Sequence, residues 1–136
     1  MECEKTKITK TIQLEKAIRF NGGGHLNHAL FWETLTPVNS GGGKFDKDST
    51  IGKAILKTFG TLEDFQNEFN TKSAGVQGSG WGWLGYCPAL KTIQVVTCAN
   101  QDPLLATTGL IPLLGIDVWV IYMNSYIQYT SSYIEV

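Results

Sequence analysis

WGWLGYC at residues 81–87 and TIQVVTC at residues 92–98 are the two stretches that decide the fold. A period of two places Trp81 and Trp83 on one side of the first stretch, and the second is rich in β-branched residues; both patterns favour β-strands. Residues 88–91 are short enough for a hairpin connection. The pair therefore predicts an antiparallel hairpin in the second half of the chain.

The chain around this hairpin predicts one more strand and a set of helices. A third strand is expected over residues 110–119, after turn-forming residues at 100–103, and Pro112 is tolerable there at an edge or an irregularity. Apolar residues three or four apart predict helices, which cover residues 11–20, 25–35, 49–59 and a segment that Thr61 caps with Asp64 in the capping-box position. Helices first and strands afterwards indicate an α+β domain, with N-terminal helices followed by a small three-stranded antiparallel sheet.

Asn21-Gly22-Gly23-Gly24 separates the first two predicted helices. Glycine adopts the left-handed conformations that end helices, so we expect the first helix to stop here. In the second helix His25, His28, Trp32 and Leu35 fall on one stripe.

Composition places the chain among globular proteins of one domain. It has 136 residues, of which 43% are hydrophobic and 17% charged, and its net charge is −1. Because there is no basic cluster, nucleic acid and anionic membrane surfaces are not expected as partners. No apolar run reaches the roughly 18 residues of a membrane span. Cys3, Cys87 and Cys98 lack metal-site spacing, so free thiols are expected.

Three ionisable side chains are placed for chemistry, those of His25, His28 and Asp117. A histidine on a helix face is more often a satisfied core residue than a ligand, and a carboxylate at a strand end can equally be a cap or an ion-pair member. Asp117, however, lies in the apolar stretch LIPLLGIDVWVI at residues 110–121. Burying a carboxylate there is costly unless it is paired, hydrogen-bonded or bound to a metal. The residues alone leave these alternatives open.

Four motifs in fixed order carry a resemblance to a known family: FNGGGHLNHALFW (20–32), GVQGSGWGWLGY (75–86), NQDPL (100–104) and GIDVW (115–119). Together they closely resemble the manganese/iron superoxide dismutases, from Thr11 to Trp119. The resemblance implies a reaction in which two superoxide ions become O2 and hydrogen peroxide at a redox-cycling metal.

The resemblance also implies a site. His28 and Asp117 match metal ligands, and Gln101 matches the glutamine that hydrogen-bonds the metal-bound solvent and tunes the metal. The aromatic wall around the metal is matched by Trp81, Trp83, Trp119 and Phe20. The catalytic residues implied in this way are Gln101, Trp81 and Trp119.

The metal type, the partners and the location are implied in the same way. Gly24 together with Gln101 is the manganese-type combination, because the iron type supplies its glutamine from the position of Gly24; manganese is therefore expected rather than iron. Superoxide is the implied substrate, and homodimers or tetramers in the mitochondrial matrix are implied as well. A chain that is complete without a leader would be cytoplasmic.

Two features depart from the family pattern. The family site uses three histidines and one aspartate, whereas this chain contains two histidines, and Ile121 stands where the last ligand is expected. Val120 replaces the glutamate that reaches the partner subunit, which weakens the implied oligomer. We therefore expect residues 1–20 to be a remnant of the N-terminal helical domain, with its hairpin and first ligand incomplete, residues 21–119 to be the C-terminal domain, and residues 120–136 to be a divergent tail of strand or disorder.

Two hypotheses about function follow. In the first, the chain is a manganese superoxide dismutase by descent, with little or no activity of its own because two ligands are missing. In the second, it is an inactive isoform or fragment that acts, if at all, by associating with a full-length subunit through the apolar helix faces that the incomplete hairpin exposes.

Overall fold

The computed structural model describes residues 2–40 and 42–119. The helices are α1 (Glu2–Thr34), α2 (Thr50–Phe59), α3 (Leu62–Ala74) and α4 (Leu104–Thr108), with one 3-10 turn at Val38–Ser40. The strands are β1 (Gly80–Cys87), β2 (Thr92–Ala99) and β3 (Ile111–Asp117). Helices followed by a three-stranded antiparallel sheet confirm the predicted α+β class. The predicted tail, 120–136, lies outside the described residues.

A single helix, α1, stands where two helices were expected, so the predicted break at 21–24 is wrong. Gly22, Gly23 and Gly24 all stay helical. An interior glycine costs a helix only about 1 kcal/mol relative to alanine, and this cost is offset where the missing side chain admits a neighbour. A Cβ at residue 23 would collide with the main-chain oxygen of Gln101. Gly23 is therefore a packing residue, whereas a Cβ at Gly22 would meet no atom within 4 Å. Leu35 lies just beyond the end of the helix.

The sheet has the strand order β2-β1-β3, with both pairings antiparallel. The predicted hairpin is confirmed, and its strands pair from Gly80 opposite Ala99 to Cys87 opposite Thr92. On the other side of β1, the edge strand β3 has a register shift beside Pro112, where a residue without an N–H is tolerated. The same register places Asp117 directly opposite Trp81.

The sheet separates two apolar clusters. On one face α2 and α3 bury Ile55, Phe65 and Phe69 against Leu84 and Val95 of the sheet. Their positions confirm the predicted helical faces, and Thr61 caps α3 by accepting a hydrogen bond from the Asp64 N–H at 3.0 Å. The cluster on the other face contains Trp81, Trp83, Cys98, Leu104 and Leu110.

The second cluster is closed from outside by two helices. Leu104 belongs to α4, a helix of five residues that the periodicity did not predict because it is barely longer than one turn. Phe31 of α1 packs against the same cluster. The C-terminal half of α1 is thereby fixed against the sheet edge that carries Asp117.

Much of α1 is uncovered in the described chain. Its apolar side chains that are more than half exposed are Ile8, Ile12, Leu14, Ile18, Phe20, Leu26 and Trp32. This agrees with the expectation that the apolar faces of the N-terminal helices are open. In the ranges 2–40 and 42–119, no helix combines the length and apolar character needed to cross a membrane.

Candidate metal centre

His28 and Asp117 meet where α1 crosses the end of β3. Their closest atoms, Nε2 of His28 and Oδ2 of Asp117, are 3.2 Å apart. The residues are 89 positions apart in the sequence (117 − 28), and only the docking of α1 on the sheet brings them together. Asp117 is buried, with 4% of its surface exposed, so its carboxylate needs a compensating partner.

The contact made by the other ring nitrogen of His28, Nδ1, determines whether Nε2 is a hydrogen-bond donor or an acceptor. Nδ1 lies 2.8 Å from the main-chain oxygen of Gly24, one helical turn earlier. A carbonyl oxygen only accepts, so Nδ1 carries the proton and donates it. In the neutral ring Nε2 is then an acceptor, and it faces a carboxylate oxygen of Asp117 that is also an acceptor. Two facing acceptors require a cation between them, either a proton or a metal ion.

This arrangement is the one that metal-ligating histidines adopt. Such a histidine nearly always donates its other N–H to a carbonyl or carboxylate, which fixes the ring and its tautomer. The second oxygen of the carboxylate, Oδ1 of Asp117, accepts a hydrogen bond from the Trp119 main-chain N–H at 3.0 Å. Each side chain is thus held through its other polar atom, and Nε2 and Oδ2 lie 3.2 Å apart.

Gln101 and Trp81 complete the surroundings of this point. The indole Nε1–H of Trp81 donates to Oε1 of Gln101 at 3.0 Å. Because Oε1 is engaged, the amide NH2 is the end of Gln101 that remains for another partner. The Trp81 ring is fully buried and meets the His28 ring edge-on, with the centroids 5.0 Å apart and the planes at 84°.

The aromatic residues predicted to surround His28 and Asp117 differ in their burial. Trp83 stacks on Trp81 with centroids 5.1 Å apart. Phe31, which the sequence reasoning did not single out, meets Trp81 at 5.8 Å. Phe20 and Trp119 have side chains that are 52% and 58% exposed; Trp119 connects to the centre through its main-chain N–H.

Sequence reasoning missed Asn27, which is buried with 1% of its surface exposed. Its Nδ2 donates to the main-chain oxygen of Gln101 at 3.1 Å. The signal was present in the sequence, since Asn27 lies between Gly23 and Phe31 in a row of residues four apart. A polar residue in the inward row of a helix indicates a specific hydrogen-bond partner.

A second missed contact joins the same two parts of the chain. Nε of Arg19 donates to Oδ1 of Asp102 at 2.6 Å, which links α1 to the turn that carries Gln101. The hydrogen bond and the charge of Asp102 raise the pKa of the Arg19 guanidinium above its ordinary value. Both side chains are partly exposed, so this pair contributes little stability by itself.

The described part of the chain supplies two donors to the centre. No group of three or more His, Cys, Asp or Glu side chains that could hold a metal is found there. His25, one turn before His28 on α1, is exposed. Val120 and Ile121, predicted to replace a dimer contact and a ligand, lie outside the described residues.

Comparison with known proteins places this centre in context. The model of the α-hairpin domain of iron/manganese superoxide dismutases matches residues 1–36, and the model of their C-terminal domain matches residues 47–136. These matches extend beyond the Thr11–Trp119 stretch that the four motifs cover.

Relatives with similar sequences carry names of the same kind. A protein of Chlamydia muridarum named superoxide dismutase [Mn] is 48% identical over 131 residues, which are 93% of this chain and 63% of the relative. A mitochondrial superoxide dismutase [Mn] of Branchiostoma floridae is 52% identical over 114 residues, 84% of this chain and 76% of the relative. The chain thus spans somewhat less than two thirds of the length of the chlamydial relative. With both domain models matched, the chain belongs to the iron/manganese superoxide dismutase family.

Proposed function

We propose that the chain supplies the metal-binding part of a manganese-type superoxide dismutase. In that reaction two superoxide ions and two protons give O2 and hydrogen peroxide. The observation that carries the proposal is the convergence of two acceptors, His28 Nε2 and Asp117 Oδ2, at 3.2 Å. Imidazole and carboxylate are both ligands that manganese accepts.

Each residue of the centre has a role in this proposal. His28 and Asp117 would hold the ion, and a bound manganese ion supplies the one-electron chemistry by which superoxide is oxidised and reduced. Gln101, with Oε1 held by Trp81, presents its amide NH2 to a small ligand or solvent molecule in the centre. Trp81 covers the ring of His28 and excludes water from one side.

Manganese rather than iron is supported by the surroundings of Gly24. A Cβ at residue 24 would already touch the side chain of Gln101, at 3.5 Å from its Cγ, Cδ and Oε1. A longer side chain, such as the glutamine expected there in the iron type, would compete with Gln101 for the same space. The relatives named superoxide dismutase [Mn] point in the same direction.

The 136-residue chain alone is expected to bind manganese weakly and to turn over little superoxide. Two protein donors leave most coordination positions to water, which lowers affinity and weakens control of the reduction potential. Activity at the level of the family would then require further ligands from outside the described residues.

Metal titration of the purified chain tests the proposal. The decisive variants are His28→Gln and Asp117→Asn, and His25→Gln is the matched control because His25 is exposed on the same helix. Losing one of two donors should weaken Mn²⁺ binding by at least about tenfold, measured by the electron paramagnetic resonance of free Mn²⁺. The control should bind as the unchanged chain does.

Two results would contradict this proposal. Equal binding by His28→Gln, Asp117→Asn and the unchanged chain would place the metal elsewhere. Stoichiometric manganese in the purified chain, with rapid loss of superoxide, would overturn the expectation of low activity.

A second function is favoured by the uncovered apolar side chains of α1. We propose that this helix associates with a full-length member of the family, whose α-hairpin supplies the apolar surface that α1 lacks. Patches of this size mark an interface or an aggregation liability. Co-expression with differently tagged full-length protein distinguishes the two: recovery of mixed dimers supports association, and deposition of this chain alone in inclusion bodies contradicts it.

The proposed oligomeric state and cellular location are taken from the family and its named relatives. We propose a homodimer or tetramer for the completed protein, and the mitochondrial matrix as its location because the Branchiostoma floridae relative is named mitochondrial. Cell fractionation with matrix and cytosolic markers checks the location.

A further inference from the structure

We propose that Asn27 and Gly23 are positioning residues that hold Gln101 in place beside His28. The inference rests on the proposed function only in giving Gln101 a role at a metal. The geometry itself joins the helix that carries His28 to the turn that carries Gln101, and it can be tested without any metal.

One row of α1 receives the main chain of Gln101. Gly23 and Asn27 are four residues apart and therefore lie one above the other on the helix. Asn27 donates from Nδ2 to the Gln101 main-chain oxygen at 3.1 Å. Gly23 has no side chain, and any Cβ there would strike the same oxygen. The main-chain oxygen of Gln101 thus lies against Gly23 and accepts a hydrogen bond from Asn27.

The adjacent row of α1 receives the side chain of Gln101. Gly24 and His28 are also four apart, and a Cβ at residue 24 would lie 3.5 Å from the Gln101 amide carbon. The main-chain oxygen of Gly24 also accepts the Nδ1–H of His28 at 2.8 Å. One turn of helix therefore orients the His28 ring and holds both the main chain and the side chain of Gln101.

Asn27 is the buried member of the contacts that fix this turn. The Arg19–Asp102 pair is partly exposed, with side-chain exposures of 53% and 28%. The bond from Asn100 N–H to the Ser79 oxygen, at 2.8 Å, holds the turn to the sheet and not to α1. On the side of α1, the position of Gln101 relative to His28 therefore depends chiefly on Asn27 and Gly23, while Trp81 holds the Gln101 Oε1 from the sheet.

The variant Asn27→Asp tests this in the metal-free chain. It keeps the shape of the side chain but replaces the NH2 donor with an acceptor, which faces the Gln101 carbonyl oxygen. Asn21→Asp is the matched control, because Asn21 lies on the same helix and bonds only locally, to the Ala17 oxygen at 2.9 Å. The readout is the ¹H–¹⁵N spectrum, with the Trp81 indole signal assigned through Trp81→Phe.

Asn27→Asp should shift the Trp81 indole signal and the side-chain amide signals of Gln101, since their mutual hydrogen bond changes. Asn21→Asp should leave both in place. Melting temperatures are measured in parallel, because a merely structural role would lower them without moving these signals.

Gly23→Ala provides an independent route if Asn27→Asp does not fold. It should displace the Gln101 carbonyl and move the same signals, whereas Gly22→Ala, where a Cβ would meet no atom within 4 Å, should not. The proposal is overturned if a folded Asn27→Asp or Gly23→Ala chain leaves the Trp81 and Gln101 signals unmoved. A chain that binds no manganese but shows these shifts would reject the proposed function and retain this inference.

Discussion

At Asp117 the requirements of function and stability oppose each other. Without a metal, its Oδ2 faces Nε2 of His28, and both are acceptors when the ring is neutral. Such a contact is useful only when a cation lies between the two atoms. With a neutral His28 the contact therefore lowers the stability of the metal-free fold, whereas a proton or a bound ion between the two atoms removes that cost.

Asp117→Asn should separate these two effects. The carboxamide can donate its NH2 to Nε2 of His28 while its oxygen still accepts from the Trp119 N–H. We expect the metal-free chain with a neutral His28 to gain about 1 kcal/mol in free energy of unfolding, measured by urea denaturation in the presence of a chelator, although it binds manganese less well. A variant that is both less stable and unimpaired in metal binding would reject the account.

Cys98 gives a prediction about pH. Burial raises the pKa of its thiol, with a smaller contribution from the charge of Asp102. The folded state thus favours the neutral thiol, so this stabilisation is complete below the unfolded thiol pKa of about 8.5 and is lost as the pH rises through the higher folded pKa. The free energy of unfolding should fall as the pH rises above about 8.5, and less steeply in Cys98→Ala. Equal slopes for the two chains would contradict this.

At the residue scale, the motifs in the sequence identified the residues of the centre but not the residues that hold them in position. His28, Asp117, Gln101 and Trp81 were predicted and lie together. Asn27 was missed because its place in the inward row of α1 indicates that it has a partner but not which one, and the partner is a main-chain oxygen. A hydrogen bond to the main chain of a distant turn becomes visible only when the fold is known.

At the element scale, α1 shows how tertiary contact overrides local preference. Glycine triplets usually end helices, and the prediction of a break at 21–24 followed that tendency. The turn around Gln101 packs so closely on α1 that a side chain at residue 23 is excluded. Gly23 is thus explained by a neighbour 78 positions away in the sequence (101 − 23), which a short local stretch does not include.

Two alanine substitutions test this explanation of the glycines. Gly22→Ala should stabilise the chain by up to about 1 kcal/mol, because alanine is the better helix former and the added Cβ meets no atom within 4 Å. Gly23→Ala should destabilise it in spite of the same helical gain, because its Cβ collides with the Gln101 oxygen. Thermal unfolding followed by circular dichroism measures both. Equal effects at the two positions would show that α1 does not pack on this turn as described.

The other elements were predicted because their signals are local. The helical spacing of Ile51, Ile55 and Phe59 matches α2, and the hairpin follows from its two apolar stretches. The edge position of β3 is also consistent with Pro112. The helix α4 and the 3-10 turn at Val38–Ser40 were not predicted, since five and three residues are too few to show a period.

At the scale of the whole molecule, the centre depends on how α1 lies across the sheet. The β1–β3 register puts Asp117 opposite Trp81, and the ring of His28 then meets both. The spacing of residues in the sequence does not specify how α1 crosses the sheet. The pairing of His28 with Asp117 was implied only by the resemblance to a family. The exposure of the apolar residues of α1 is also a property of the whole molecule, because no other element of the described chain covers them.

Paramagnetic broadening by Mn²⁺ tests the central claim, that His28 and Asp117 hold the ion, most directly. Substoichiometric Mn²⁺ added to the ¹⁵N-labelled chain should first broaden the Trp81 indole signal, the Gln101 side-chain amide and the main-chain signal of Trp119. The same addition to Asp117→Asn should leave them sharp, as should Mg²⁺ added to the unchanged chain. Broadening centred instead on exposed carboxylates such as Asp46 and Asp48, and unchanged in Asp117→Asn, would contradict the account.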